Sequence, residues 1–325
     1  MSWRFLRLVS VSVPKQSCSA SKHISTIRPL NNEASDLSLQ WLDRSHWCGK
    51  VSEQNVGEKV RLTGWVQYIR IDTRFLLLKD WTGVVQLIIP EDKTGDDSRE
   101  RLKNVGPESN IKAVGTVRLR PEGDTNPKMK TGMIEIDVET IEFANPANKK
   151  LPFIPSRPTN EANEPLRLKH RSLDLRSPNM QHNLRLRSEV EMKISNFLWN
   201  RGFVKIGTPT LFRRTPGGAR EFVVPTRQKD KFYSLVQSPQ QFKQMLMVGG
   251  HDKYFQIASC YRDEGTKPDR QPEFTQIDIE MAWCSRRSIQ HCIEEMLQNC
   301  WPNLNGDSGS EIKRYVYSKI SFNSG

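Results

Sequence analysis

Residues 260–281 read CYRDEGTKPDRQPEFTQIDIEM, and 11 of these 22 side chains are charged or amide groups. Arg262, Glu264 and Phe274 within this stretch are the types of residue that could hold a nucleotide. A guanidinium clamps a phosphate through two parallel hydrogen bonds. A carboxylate accepts from an adenine amino group, and an aromatic ring stacks on the base. No GxxxxGK[ST] or GxGxxG occurs here, so such a site would work without a glycine-rich phosphate loop. A polar row on one strand face is also what an ordinary solvated face looks like, and spacing alone leaves both readings open.

The elements that must position these groups follow from periodicity. YFQIASCYR reads as an outgoing strand with Tyr254, Gln256, Ala258, Cys260 and Arg262 on one face. EFTQIDIEM returns with Phe274, Gln276, Asp278 and Glu280 on one face, and Thr275, Ile277, Ile279 and Met281 on the other. The connection, GTKPDRQP, is a long basic loop. Upstream, Leu186, Val190, Ile194, Phe197 and Leu198 predict a helix over 183–200 that stops at Gly202. GFVKIGTPTL reads as a strand closing on Pro209. SPQQFKQMLMVGG reads as a helix with Ser238 as N-cap, Pro239 at the first helical position, and Phe242, Met245 and Leu246 on one face. A last helix puts Ile289, Ile293, Met296, Leu297 and Trp301 on one side, with Cys292 and Cys300 packing as small hydrophobes. This half is expected to be α+β with an antiparallel sheet.

The first half has a different texture. VRLTGWVQYIR, RFLLLKDWTGVVQLIIP, IKAVGTVRLR and GMIEIDVETIEF supply five strands, with Gly83 at a hairpin turn and a helical interruption near SRERLKNV. That pattern fits a small closed barrel such as an OB-fold. Five prolines in residues 145–165 mark a linker. The first 32 residues carry Arg4, Arg7, Lys15, Lys22 and Arg28, with no acid before Glu33. This basic, Ser-rich composition is that of a mitochondrial transit peptide, with a disordered basic tail as the plainer alternative. The net charge of +12 over 325 residues suggests a polyanionic partner. No apolar run approaches the roughly 20 residues of a membrane span. The six cysteines form no CxxC pair, so reduced thiols and no zinc are expected.

CYRDEGTKPDRQPEFTQIDIEM resembles motif 2 of the class II aminoacyl-tRNA synthetases, in the aspartyl form of bacterial and mitochondrial type. RSLDLRS (171–177), QSPQQFKQMLMVGG and the motif 1-like GFVKIGTPTLFRRTPGGAREFVVP extend the resemblance. CGKVSEQNVGEKVRLTGWVQYIR is similar to that family's anticodon-binding OB domain, so the likeness runs over about 45–302. It implies a transit peptide or disordered segment at 1–40, an OB-fold anticodon-binding domain at 45–145 and a linker at 146–165. A partial class II catalytic domain follows at 166–302, and an irregular tail at 303–325.

The resemblance also implies roles. Arg262 would contact the ATP α-phosphate and the amino acid's α-carboxylate, Glu264 would accept from adenine, and Phe274 would stack under it. Ser238, Gln240 and Lys243 would form the aspartate pocket with Gln276 and Asp278, Lys243 facing the substrate's side-chain carboxylate. Arg70, Phe75 and Gln86 would bind the anticodon. The family further implies Mg²⁺, a homodimer through motif 1, tRNA(Asp) as partner and the mitochondrial matrix as location.

The family's Mg²⁺-holding carboxylates, its second substrate arginine and motif 3 find no match in this chain, so the expectation is a truncated active site with activity incomplete or lost. TPGGA carries Gly217 where many bacterial relatives have an acid, and Ala219, Arg220 and Glu221 are left without individual roles. Two other readings compete with the ligase: a tRNA-binding, dimerising isoform without chemistry, and an asparaginyl- or lysyl-type relative. QSPQQFKQ together with RQPEFTQID favours aspartate over the latter.

Overall fold

A computed structural model describes residues 39, 42–70, 74–90, 96–148, 150–155, 162–215, 218–264 and 270–300. All of the transit-peptide segment but residue 39, Trp301, the tail, Gly217 and most of the GTKPDRQP loop lie outside the described residues. The chain divides into two compact units between Ala147 and Asn148.

In the first unit, alternating apolar residues build strands that close on themselves. The elements are β1 (Lys59–Arg70), β2 (Phe75–Lys79), β3 (Val84–Ile88), α1 (Asp96–Asn104), β4 (Asn110–Leu119) and β5 (Ile134–Asn145). The sheet order β1-β2-β3-β5-β4 returns to β1, forming a closed barrel. All pairings are antiparallel except β3 with β5. Val60, Leu62, Val66, Leu76, Leu78, Val85, Leu87, Ile136 and Val138 point inward and are buried. Burying such side chains stabilises by about 1.5–3 kcal/mol each, which fixes the register, because a one-residue slip would turn this whole set outward.

The second unit opens with two short helices, α2 (Glu164–Lys169) and α3 (Arg171–Asp174), and a long one, α4 (Pro178–Asn200). The carboxylate of Asp174 is fully buried and accepts from Arg171 Nη1 at 2.5 Å, which explains why RSLDLRS holds an acid among apolar residues. α4 begins five residues before the expected start. Ser177 accepts from the Met180 N–H at 3.4 Å and Pro178 occupies the first helical position. The apolar periodicity marks only the helix's buried half, so it misses this solvent-facing first turn. Gly202, at φ +78°, ends the helix as expected.

β6 (Val204–Lys205), β7 (Leu211–Phe212), β8 (Val223–Pro225) and β9 (Phe232–Leu235) are short. They are followed by α5 (Gln240–Val248), β10 (Lys253–Tyr261), β11 (Glu273–Met281) and α6 (Arg286–Cys300). The sheet is not one antiparallel layer. The described strands form two three-stranded sheets, β11-β10-β6 and β7-β9-β8, and β6 runs parallel to β10. GFVKIGTPTL therefore yields two short strands rather than one. Pro209 has no N–H to donate to a ladder, and Gly207 weakens the strand interior because it has no side chain to pack.

One core organises this unit. Ile194, Phe197 and Leu198 of α4, Phe255 of β10, and Met296 and Cys300 of α6 pack together with Phe203. Cys292, Ile279 and Met281 flank them. Both helices thus cover one face of the β10–β11 hairpin, and α5 lies against the other.

Candidate active site

β10 and β11 pair in register from Lys253↔Met281 to Tyr261↔Glu273. Tyr254, Gln256, Ala258 and Cys260 accordingly stand opposite Glu280, Asp278, Gln276 and Phe274. This polar face is not solvated. Tyr254, Ala258, Cys260 and Asp278 are all buried, whereas Ile277 on the reverse face is 40% exposed. The solvated-face reading is therefore wrong, because α5 covers the polar row.

α5 starts at Gln240, and Pro239 rather than Ser238 is its cap. Ser238 makes no capping bond: the first intrahelical bond, from the Lys243 N–H to the Pro239 carbonyl at 3.0 Å, leaves Ser238 one residue outside the cap position. The offset puts the Ser238 side chain at a cleft instead of the helix terminus. Ser238, Gln240, Lys243, Arg262, Gln276 and Asp278 line this cleft of about 550 Å³ along the edge of β11. Lys243 Nζ lies 2.6 Å from Asp278 Oδ1 and 3.2 Å from Glu280 Oε2. Burial works to lower the pKa of Lys243, but its bonds and charge attraction to Asp278 and Glu280 outweigh this and hold it above the usual lysine value. An ammonium has three donors, so two are engaged and one is left for a ligand.

Behind the cleft, the Tyr254 hydroxyl donates to Gln256 Oε1 at 2.6 Å and Thr208 Oγ1 donates to the same oxygen at 2.9 Å. Burial, then the charge of Asp278, pushes the Tyr254 hydroxyl far above the usual tyrosine range, so it stays a donor. The Cys260 thiol donates to Gln276 Oε1 at 3.2 Å. Arg262 extends the hairpin pairing through its N–H to the Pro272 carbonyl at 2.9 Å. Its guanidinium lies 5.0 Å from the Phe274 ring centroid.

Not every expected residue joins this group. Glu264 is exposed, lies outside the cleft lining and pairs with Arg270 at 3.2 Å. Phe274 lines a separate, larger cleft between α4 and β11, with Arg187 donating to Thr275 Oγ1 beside it. Glu280 was missed as a candidate. The two-residue alternation that selects Gln276 and Asp278 selects it equally.

In the barrel, Arg70 stands opposite Phe75 and Phe75 opposite Ile88, while Gln86 stands opposite Leu77. All face outward, because Leu76, Leu78, Val85 and Leu87 fill the interior. Gln86 Nε2 donates to Glu135 Oε2 at 3.0 Å, and Arg118 Nε donates to the other oxygen at 2.9 Å. Arg70 lies 5.0 Å over the Tyr68 ring, and Arg74 5.9 Å over Phe75. Aromatic rings, guanidiniums and an amide thus share one outer surface.

Comparison with known proteins accords with this layout. The model of the class II tRNA synthetases (D, K and N) matches residues 163–325. The chain is 56% identical over 261 residues to the mitochondrial aspartate–tRNA ligase of Homo sapiens, an alignment covering 80% of this chain and 40% of that protein. It is 43% identical over 286 residues to the aspartate–tRNA(Asp/Asn) ligase of Helicobacter pylori, covering 87% of this chain and 48% of that one. The crystal structure of asparaginyl-tRNA synthetase from Pyrococcus horikoshii with asparaginyl-adenylate superposes with a TM-score of 0.68 at 27% identity, covering 78% of this chain and 57% of that chain.

The hairpin, the helix laid across its polar face and the matched family define a class II synthetase catalytic fold. The chain belongs to the class II tRNA synthetases of the D, K and N group. Within that group its high-identity relatives include aspartate–tRNA ligases, and it spans about 40% of the length of the human one.

Proposed function

We propose that this chain belongs to an aspartate–tRNA ligase of mitochondria, working in the matrix, and that the cleft beside α5 takes L-aspartate. The observation that carries this reading is the cleft lining itself: two cations, Lys243 and Arg262, across from Asp278 and two amides. Aspartate has two carboxylates and one ammonium, and this set offers a partner for each. Lys243 takes the side-chain carboxylate with its remaining donor. Arg262 takes the α-carboxylate bidentately. Asp278, with Gln276, takes the ammonium, and Ser238 and Gln240 supply further bonds at the rim.

The reaction so supported is adenylate formation. An α-carboxylate oxygen attacks the α-phosphorus of ATP, the new O–P bond forms, and the bond to pyrophosphate breaks. Arg262 holds both reactants and offsets charge developing at phosphorus. Glu264 and Phe274 would receive the adenine, with Glu264 swinging away from Arg270 to do so. A ribose hydroxyl of the tRNA then attacks the activated carbonyl and AMP leaves.

Magnesium, which the family implies, does not fit the donors in view. Asp278 and Glu280 are both engaged by Lys243, and no group of three metal-ligating side chains occurs among the described residues. No step is routed through it. The barrel is read as an OB-fold that binds the anticodon of tRNA(Asp) through Arg70, Phe75 and Gln86, in a homodimer formed through the motif 1-like segment 202–225.

Calorimetric titration of L-aspartate into the chain tests the cleft. Lys243→Met should weaken binding by at least about tenfold, as loss of a buried charge partner does. Because that variant leaves Asp278 buried without its cation, unfolding is monitored alongside and Lys243→Met/Asp278→Asn is measured too. Unchanged aspartate affinity in a folded Lys243→Met would refute the assignment.

A further inference from the structure

The segment Gly218–Glu221 has a use that neither the fold nor the cleft lining explains. The Gln237 side chain makes two bonds to a single residue: its Oε1 accepts from the Ala219 N–H at 2.8 Å, and its Nε2 donates to the Ala219 carbonyl at 2.7 Å. The same Nε2 lies 3.3 Å from Glu221 Oε1. Glu221 is itself anchored. Oε1 accepts from the Thr215 N–H at 3.1 Å and from the Thr215 hydroxyl, and Oε2 accepts from Ser234 Oγ at 2.6 Å. The amide needs room to reach in. Gly218 is at φ +94°, and a Cβ there would come within 2.6 Å of Gln237 Oε1.

This clamp sits at a junction. The Arg220 carbonyl accepts from the Asp263 N–H at 2.9 Å, and the Val236 carbonyl accepts from the Tyr261 N–H at 3.0 Å. Residues 236–238 and 261–263 therefore run side by side, with the 218–221 turn bonded to both. Gln237 directly precedes Ser238, and Asp263 directly follows Arg262. Both neighbours line the cleft.

We propose that Gln237, with Glu221 as its anchor, is a positioning residue that sets Ser238 and Arg262 at a fixed separation across the cleft. It touches neither substrate. It acts by tying the 218–221 turn to the start of α5 while the turn's own carbonyl holds the end of β10. The proposal rests on the reading of the cleft as an aspartate site, but the clamp can be tested apart from that reading.

The test uses the full chain and two readouts: amide hydrogen exchange at Ala219 by mass spectrometry, and calorimetric binding of L-aspartate. Gln237→Met removes both bonds to Ala219 and should speed exchange there by roughly tenfold or more and weaken aspartate by a similar factor. Gln237→Glu keeps an acceptor for the Ala219 N–H but loses the donor and faces Glu221 with a like charge. It should weaken aspartate binding while protecting that amide better than Gln237→Met does. Gln237→Glu/Glu221→Gln removes the like charge while the Ala219 carbonyl still lacks its donor, so affinity should rise above that of Gln237→Glu without reaching wild type, which a mere loss of folding would not allow. Exchange and affinity in folded Gln237→Met within about twofold of wild type would overturn the proposal. If the wild-type chain binds no L-aspartate, the cleft reading fails. The exchange readout alone then decides the clamp, and unchanged protection in Gln237→Met overturns it.

Discussion

Lys243 would be dismissed as a solvated helix lysine from its own position, yet two carboxylates hold it against the sheet. Its folded pKa is raised above the usual lysine value of 10.5, so the pair's contribution to stability is fully present below that value. The contribution is lost only as pH climbs through the raised folded value. Aspartate affinity should therefore show no titration from Lys243 across the neutral range. The cysteines test the same burial independently. Burial raises the thiol pKa values of Cys48, Cys260 and Cys300, whereas Cys284 is exposed. Thiolate is the reactive form, so iodoacetamide at mildly alkaline pH should alkylate Cys284 well before the other three, as peptide mapping would show. Equal labelling of Cys260 and Cys284 would mean that α5 does not cover the polar face.

At the scale of elements, α4 depends on a cap that its periodicity did not announce. Ser177→Ala removes the acceptor for the Met180 N–H and should cost about 1 kcal/mol in urea denaturation. A change near zero would show that the first turn is held by other contacts. The barrel strands were readable because one face is filled and the other is wetter, as in β1, where Val60, Leu62 and Val66 are buried while Lys59 and Tyr68 are exposed. The hairpin was readable in register but misleading in burial. Period-two alternation says which residues share a face and says nothing about which face a later helix will cover. The parallel pairing of β6 was illegible because two residues carry no pattern. Gln237 and Glu221 were equally hidden, since their partners lie across the fold rather than along the chain. Ser238, Gln240 and Lys243 were legible only through family resemblance. On spacing they are an unremarkable helix start.

The chain divides into two compact units, and the role proposed for each has its own test. If the barrel's outer face binds splayed bases, Phe75→Ala and Gln86→Ala should each weaken an aspartate-tRNA transcript by about tenfold, consistent with the loss of one stacking or amide contact. Fluorescence anisotropy at two salt concentrations would read this, with wild-type affinity falling steeply as salt rises. Both variants binding like wild type would remove the anticodon reading from this face. In the proposed function the second unit takes the amino acid. On the proposed reading its charge arrangement would discriminate by the side-chain group that meets Lys243, because replacing a carboxylate with an amide would leave a buried ammonium without its third partner. The most direct measurement of the central claim is a calorimetric comparison of L-aspartate, L-asparagine and L-lysine on the wild-type chain. The cleft geometry predicts that L-aspartate binds at least about tenfold more tightly than either competitor. Equal affinities, or a preference for L-asparagine or L-lysine, would contradict it.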